Sequence, residues 1–242
     1  LMAYTNRAVD EICSKLKEEN IDFLRLGNDF SCASEYRDNL LSNKARLCNN
    51  IDDIRHLIIN SRIICGTTTA FNSHTEIFSL KSFQLAIIDE ASQILEPHII
   101  GLLSAKHDKE NAIEKIVMIG DEKQLPAVVQ QEANESVVNS KSLNDIGLTD
   151  CRLSFFERMI RIYGKSNHNY CHVLTRQGRM HPEIATFPNE AFYGGTLLPV
   201  PLRQRLPLLN ITATTALKKF SPPTGYHSYH AAPRIIPKNQ TR

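Results

Sequence analysis

Three short apolar runs divide the chain, and each is followed by a glycine or a polar turn. They lie at residues 62–66 (RIICG), 85–89 (LAIID) and 115–121 (KIVMIGD). Continuous apolar runs of this length are typical of strands that are buried on both faces of a parallel sheet. Residues 94–105 (ILEPHIIGLLSA) carry a helical pattern between the second run and the third. This order of strand, helix and strand predicts an α/β fold around a central parallel sheet.

The first sixty residues predict further elements of the same kind. Apolar residues recur at helical spacing within 7–19 and lie opposite charged residues, so an amphipathic helix is expected there. Residues 21–27 (IDFLRLG) cluster apolar side chains before a glycine and predict a buried strand. The more polar segment that follows indicates helices around 36–47 and 51–59, without recognisable chemistry.

A second domain is expected to begin near residue 166. A helical pattern over 154–164 (SFFERMIRIYG) is followed by an apolar run near 172–176 (HVLTR), which predicts a strand. We therefore expect domains at 1–165 and 166–242. Seven of the eleven prolines lie in the last 44 residues, and proline blocks helices and central strands, so irregular chain is expected after about residue 212.

Composition and charge narrow the class of protein. With 242 residues, 42% of them hydrophobic and 22% charged, the chain has the make-up of an ordinary globular protein. The formal net charge of +2 hides an asymmetry, because residues 197–242 hold seven basic residues and no acid. Such a basic end could contact nucleic-acid phosphates, or it could be a solvated tail.

Neither a membrane span nor a metal-binding cysteine pattern is present in the sequence. No apolar run approaches the ~20 residues that cross a bilayer, and the start lacks the order of a secretory signal, so a cytoplasmic protein is expected, or a nuclear one in a eukaryote. The six cysteines lie singly without a CxxC pair. We expect them to be reduced and mostly buried.

Acidic residues follow two of the predicted strands. Asp89 and Glu90 end one of them, and ligands of open α/β sheets bind at the carboxyl ends of strands. In a nucleotide hydrolase the first acid can hold Mg²⁺ and the second can orient the attacking water. Two solvated acids at a strand end are common, so this pattern alone is weak. However, Asp121 ends the next strand, and Gln124 lies three residues further on, where it could sense a γ-phosphate.

Five sequence blocks resemble the motifs of superfamily 1 helicases. DEASQ (89–93) and GDEKQLPAVV (120–129) resemble motifs II and III, AYTNRAVDEI (3–12) resembles motif Ia, ICGTTTA (64–70) resembles the next nucleic-acid-contacting motif, and GRMHPEIATFPNEAFYGG (178–195) resembles motif IV. The blocks run in family order over about four fifths of the chain. They are most similar to the 5′-to-3′ DNA and RNA helicases related to the nonsense-mediated-decay helicase.

The resemblance implies a RecA-like P-loop NTPase fold that uses ATP and Mg²⁺. Residues 1–165 would form a first RecA-like domain without its phosphate-binding (Walker A) loop, and residues 166–242 would begin a second. Asp89 would hold Mg²⁺ through water, Glu90 would activate water, and Gln124 would link the γ-phosphate to strand binding. Gly120 and Asp121 would line the same nucleotide site.

The resemblance also implies residues that act from the second domain and on nucleic acid. Arg179 would act as an arginine finger, although a surface ion pair is its ordinary role. The track would be single-stranded DNA or RNA. Its phosphates or sugars would be contacted by Thr5, Asn6, Thr67, Thr68 and His181, the last as part of the motif IV loop. Isolated threonines are more often helix caps, and an ordinary structural histidine is equally compatible with position 181.

Departures from the family pattern leave competing interpretations open. The sequence has no glycine-rich loop ending in GK[ST] and stops before motifs V and VI, so we expect a truncated fragment that alone neither hydrolyses ATP nor unwinds duplexes. Gly178 stands where the family has an adenine-stacking tyrosine, and Tyr4 replaces a proline. The alternative is a catalytically inactive nucleic-acid-binding or scaffold module. A metabolic ATPase or kinase is a third interpretation, against which the TTT and RMHPEI blocks argue.

Overall fold

The computed structural model describes residues 1–164 and 170–200, which belong to two compact units. The first unit is Leu1–Val173 and the second is Leu174–Arg242. The boundary expected at residue 166 falls within 165–169, outside the described residues, and the domain division remains a prediction. The irregular, basic end expected after residue 212 also lies outside them.

The elements alternate between strands and helices along the described chain. The strands are β1 (Met2–Ala3), β2 (Leu24–Arg25), β3 (Ile64–Thr67), β4 (Phe83–Asp89), β5 (Lys106–His107), β6 (Glu110–Asn111), β7 (Ile113–Met118), β8 (Arg176–Gln177) and β9 (Leu198–Pro199). The α-helices are α1 (Asn6–Glu18), α2 (Leu41–Ala45), α3 (Ile51–Asn60), α4 (Thr68–Asn72), α5 (Glu76–Leu80), α6 (Ile100–Leu103), α7 (Ala133–Ser136), α8 (Lys141–Asp145), α9 (Phe155–Tyr163) and α10 (Pro182–Tyr193).

A five-stranded sheet in the order β2-β3-β1-β4-β7 forms the centre of the first unit. Every neighbouring pair is parallel, so the predicted α/β fold with a parallel sheet is confirmed. The three apolar runs of the sequence form β3, β4 and β7. Strand β1 lies in the middle of the sheet but was not predicted, because two residues are too short to show a period.

Hydrophobic side chains cover the sheet on one side with α4 and α5 and on the other with α1. Phe71, Phe78 and Ile88 belong to the larger cluster, while Val9 and Cys13 of α1 pack with the smaller one. Cover is incomplete at the β4–β7 end of the sheet. In the part of the chain that the structure describes, Leu85 is 46% exposed and Val117 is 45% exposed. Both lie in strands of a parallel sheet, whose faces are usually covered.

Several predicted elements were wrong in extent. The strand expected over 21–27 is limited to Leu24–Arg25, and the helix expected over 36–47 is a 3₁₀ helix (Ser34–Asn39) followed by the short α2. The helix expected over 94–105 is interrupted: a 3₁₀ turn (Glu96–His98) precedes the short α6. Pro97 lies in the first turn of that 3₁₀ segment, where a backbone N–H has no partner within the helix, so its absence costs nothing. A longer helix that began upstream could not continue through Pro97, because proline lacks the N–H that the helix interior needs. The strand expected near 172–176 is irregular except at Arg176, where β8 begins.

The six cysteines form no disulfide and differ in burial. Cys13, Cys32 and Cys65 are buried, and the other three are half-buried; all six are free thiols. None of the helices in residues 1–164 and 170–200 is long and apolar enough to cross a membrane. The expected cytoplasmic location remains a prediction.

Candidate nucleotide and nucleic-acid site

The strands of the first unit bring its predicted site residues to one edge of the sheet. The register pairs Ala3 with both Thr67 and Asp89, so β1, β3 and β4 end at the same level. Strand β7 pairs with β4 up to Met118 opposite Ile88 and ends at that level too. The four segments that follow these strands are therefore neighbours along the carboxyl edge, where open parallel sheets bind ligands.

A left-handed turn carries the two acids beyond β4. Glu90 adopts φ 52° and ψ 38°, a conformation that non-glycine residues rarely take. The turn is stabilised locally: the Glu90 N–H donates to Asp89 Oδ1 at 3.0 Å, and Gln93 Nε2 donates to Glu90 Oε2 at 3.4 Å. Both acids are half-buried at this turn. Strained backbone of this kind clusters at functional sites, which is consistent with the predicted catalytic position of Glu90.

The segment after β7 is attached directly to the turn that holds the acids. Ala91 N donates to the Ile119 carbonyl at 2.8 Å, and Asp121 N donates to Ser92 Oγ at 3.3 Å. The two backbones approach so closely that a Cβ on Gly120 would lie 2.9 Å from Ser92 N. Glycine is therefore required at position 120 for the two strand ends to meet.

Gln124 is connected to the same segment through its side chain. Its Nε2 donates to Asp121 Oδ2 at 3.0 Å, while Lys123 N donates to Asp121 Oδ1 at 3.0 Å. Asp121 thus orders the loop that presents Gln124, which is itself exposed. The structure brings Asp89, Glu90, Gly120, Asp121 and Gln124 into one connected region, while their individual roles remain predictions.

The segment after β1 presents Thr5 and Asn6 at the neighbouring strand end. Thr5 caps α1, accepting a hydrogen bond from Ala8 N at 3.2 Å. Asn6 Oδ1 accepts from the Arg25 guanidinium at 3.4 Å, and Arg25 is completely buried and paired with Asp10 at 2.8 Å. Neither Arg25 nor Asp10 was predicted from the sequence. An arginine inside an otherwise apolar strand was the available signal, because such a charge needs a buried partner.

The threonine run after β3 is only partly accessible. Thr67 caps α4 by accepting from Ala70 N at 3.1 Å, as isolated threonines commonly do. Thr67 and Thr68 are buried, whereas Thr69 is exposed. Predicted strand contacts by Thr67 and Thr68 remain predictions, and Thr69 is the member of the run whose side chain reaches the surface.

The motif IV block forms an ordered loop at the start of α10 in the second unit. Gln177 Nε2 donates to the Met180 carbonyl at 3.0 Å, and Met180 N donates back to Gln177 Oε1 at 2.9 Å. His181 is the N-cap of α10, its Nδ1 accepting from Glu183 N at 3.3 Å. Arg179 is exposed on this loop. Its role as an arginine finger, and any strand contact by His181, remain predictions.

Comparison with known proteins agrees with this arrangement. Two family models, each described as an AAA domain, match residues 32–132 and 151–227. The DNA replication ATP-dependent helicase/nuclease JHS1 of Arabidopsis thaliana is 33% identical over 199 residues, covering 81% of this chain and 13% of that protein. The DNA replication ATP-dependent helicase/nuclease DNA2 of Gallus gallus is 31% identical over 199 residues, covering 81% of this chain and 17% of that protein. The DNA polymerase alpha-associated DNA helicase A of Saccharomyces cerevisiae is 35% identical over 152 residues, covering 60% of this chain and 20% of the yeast protein.

The chain belongs to the superfamily 1 helicases. It spans only 13% to 20% of the length of the three relatives named above. The parallel sheet, the order of the motifs and the matching relatives together support the predicted RecA-like helicase fold.

This superfamily 1 chain has a carboxylate suited to Mg²⁺ but no recognisable phosphate-binding loop. Mg²⁺ is usually held by one or two carboxylates together with substrate phosphates, and Asp89 supplies such a carboxylate at the strand end. The described residues hold no cluster of three or more metal-ligating side chains. Mg²⁺ does not need such a cluster, because water and substrate phosphates complete its coordination. A phosphate-gripping pattern is not found: the tripeptide GKS at 164–166 has Met159 where GxxxxGK[ST] needs a glycine.

A buried ion pair, not predicted from the sequence, joins the acid-bearing segment of this helicase chain to α9. Arg158 Nε donates to Glu96 Oε2 at 2.7 Å and Arg158 Nη2 to Glu96 Oε1 at 2.5 Å, with both side chains below a tenth exposed. Arg158 also donates to the Ile146 carbonyl at 2.8 Å. This two-pronged geometry is the strong form of the arginine–carboxylate contact. It fixes the chain six residues after Glu90 against the last described helix of the first unit.

Proposed function

We propose that this chain is part of the motor of an ATP-dependent DNA helicase that moves along single-stranded DNA. The observation that carries the proposal is the direct attachment of two strand ends: the turn with Asp89 and Glu90 is hydrogen-bonded to the segment that leads to Gln124. Motif Ia, with Thr5 and Asn6, follows the next strand along the same edge. A nucleotide site and a strand site on neighbouring strand ends can influence one another through a few shared hydrogen bonds.

At the nucleotide end, the two acids have separate tasks. Asp89 would hold Mg²⁺, which neutralises phosphate charge when bound. Glu90 would accept a proton from the attacking water, for which the hydrogen bonds of the left-handed turn fix its position. Arg179 would stabilise charge on the transferred phosphoryl group.

At the strand end, the contacts available are of the kind that position a backbone without reading sequence. The Asn6 amide and the hydroxyls of exposed threonines can donate to phosphates. The relatives are named as DNA helicases, which favours DNA over RNA as the track. Single-stranded DNA remains part of the proposal.

An ATP-hydrolysis assay tests the proposed function. The protein as its gene encodes it, with these residues in their natural context, should release phosphate in the presence of Mg²⁺, and saturating oligo(dT) should raise the rate at least tenfold. The 242 residues alone should bind the strand without turnover, because no GxxxxGK[ST] pattern lies within them.

Two outcomes separate the proposal from its alternatives. A hydrolysis rate that does not respond to single strands would instead favour a metabolic ATPase. Strand binding without any hydrolysis by the gene-encoded protein would favour the catalytically inactive module.

A further inference from the structure

A loop between β2 and the 3₁₀ helix that follows it (Ser34–Asn39) exposes an aromatic ring completely. Phe30 is 101% exposed in the loop formed by residues 27–33, which we call the Phe30 loop. A phenylalanine left wholly in water gives up the stabilisation that its burial would contribute. The side chain is therefore a candidate for contact with a ligand.

Hydrogen bonds fix the backbone of the Phe30 loop on both sides of the ring. Asn28 Oδ1 accepts from the N–H groups of Phe30 and Ser31, both at 3.0 Å. The Asp29 carboxylate accepts from Asn43 Nδ2 at 2.8 Å. Because the backbone is held at these points, little conformational entropy has to be lost when a ligand stacks on the ring.

The Phe30 loop lies beside the segment that presents Asn6. Asp10 Oδ2 accepts from Ala33 N at 3.2 Å, and the same carboxylate pairs with Arg25, which contacts Asn6. At the other end of the loop, a Cβ on Gly27 would lie 3.6 Å from Arg25 Nη1. The loop therefore crosses the carboxyl end of β2 at the edge where the strand is proposed to run.

We propose that Phe30 is a stacking platform for one base of the single-stranded DNA. Every base has a π-face, so an aromatic platform binds a strand without sequence preference, as a translocating motor requires. Arg7 follows Asn6 in the first turn of α1, and its 91% exposed side chain makes only a surface pair with Glu11 at 3.5 Å, which a strand phosphate could replace. The inference rests on the proposed function, because it needs the strand to pass along this edge.

Binding of labelled oligonucleotides to the 242-residue chain tests the inference. Fluorescence anisotropy would compare (dT)₂₀ with an abasic strand of the same length, for wild type and for F30A, F30L and F30W. F30A and F30L should bind (dT)₂₀ roughly five- to a hundredfold more weakly, the range of a lost base–aromatic stack, while F30W binds at least as tightly as wild type. On the abasic strand all four proteins should bind alike.

The controls distinguish base stacking from a general loss of strand binding and from a protein contact. Leu47 is also exposed (84%), and L47A should leave binding to both strands unchanged. Equal losses on both strands, or no loss with F30A, would overturn the stacking role while leaving the proposed function intact. Failure of the wild-type chain to bind any strand would overturn both. Concentration-dependent self-association that F30A abolishes would assign the ring to a protein contact instead.

Discussion

At the scale of single residues, the buried guanidinium of Arg25 determines how Asn6 faces the surface. Arg25 donates to Asn6 Oδ1, so the amide nitrogen of Asn6 is the end left to donate to a ligand. The sequence predicted Asn6 from its motif but not this orientation. An amide orientation depends on a partner nineteen positions away, which no local pattern encodes.

Replacing Arg25 with methionine should destabilise the chain strongly. Removing one partner of a buried ion pair costs about 3–5 kcal/mol, and the cost should lie near the lower end because Asp10 is 20% exposed. Arg7→Met is the matched control, since the Arg7–Glu11 pair is exposed and should contribute less than ~1 kcal/mol. Urea unfolding monitored by circular dichroism gives both values; equal midpoints for the two variants would refute the role assigned to Arg25.

The thiol of Cys13 should resist alkylation in the folded chain. A hydrogen bond with Cys65 and burial both raise the pKa of the Cys13 thiol, so little of the reactive thiolate forms at pH 8. Half-buried Cys48 and Cys151 should react first with iodoacetamide. Peptide mapping by mass spectrometry checks the order, and early labelling of Cys13 would show that α1 opens from the sheet.

At the scale of elements, predictability follows length and period. Helices α1, α3 and α9 and strands β3, β4 and β7 have clear patterns and were predicted near their observed positions. The left-handed turn at Glu90 was not predicted. Besides its local hydrogen bonds, the turn is held where Ser92 meets Gly120 and Asp121, and these contacts form only when two distant strands pair. The motifs thus predicted which residues lie together at this edge, whereas the geometry of these residues depends on tertiary structure.

Gly120→Ala should separate the two strand ends. The added Cβ would meet the Ser92 backbone at 2.9 Å, so one segment must shift, and overpacking of this kind typically costs about 1–3 kcal/mol. Gly101→Ala in α6 has open space around the new methyl group and should instead stabilise the chain by ~0.5–1 kcal/mol. Thermal unfolding of both variants distinguishes them, and a harmless G120A would contradict the close approach.

Glu96→Gln should weaken the attachment of α9. The substitution leaves the buried Arg158 without its counter-charge, which should cost about 3 kcal/mol or more. Glu157→Gln removes the same charge from the more exposed pair with Arg161, spaced four residues apart on α9, and should cost less than ~0.5 kcal/mol. Similar urea midpoints for the two variants would argue against a structural role for the buried pair.

At the scale of the whole molecule, a nucleotide site and a strand site are proposed to share one sheet edge of the first unit. The parallel sheet makes this possible because its strands end at the same level. Family motifs in the sequence were sufficient to predict that the candidate residues Asp89, Glu90, Asp121 and Gln124 lie near one another at this edge. The exposed face near Leu85 and Val117, the Phe30 loop and the Glu96–Arg158 pair became visible only in three dimensions.

Steady-state ATP hydrolysis by the Glu90→Gln variant of the gene-encoded protein tests the central claim most directly, with strand affinity measured on the same sample. Loss of the catalytic base should lower the rate by about 10²- to 10⁴-fold and leave strand affinity within twofold of wild type. Glu122→Gln is the control, because it changes an exposed acid nearby and should alter neither the rate nor the affinity. Hydrolysis that survives in the Glu90→Gln variant at the wild-type rate would contradict the catalytic role of Glu90 and the nucleotide site built around it.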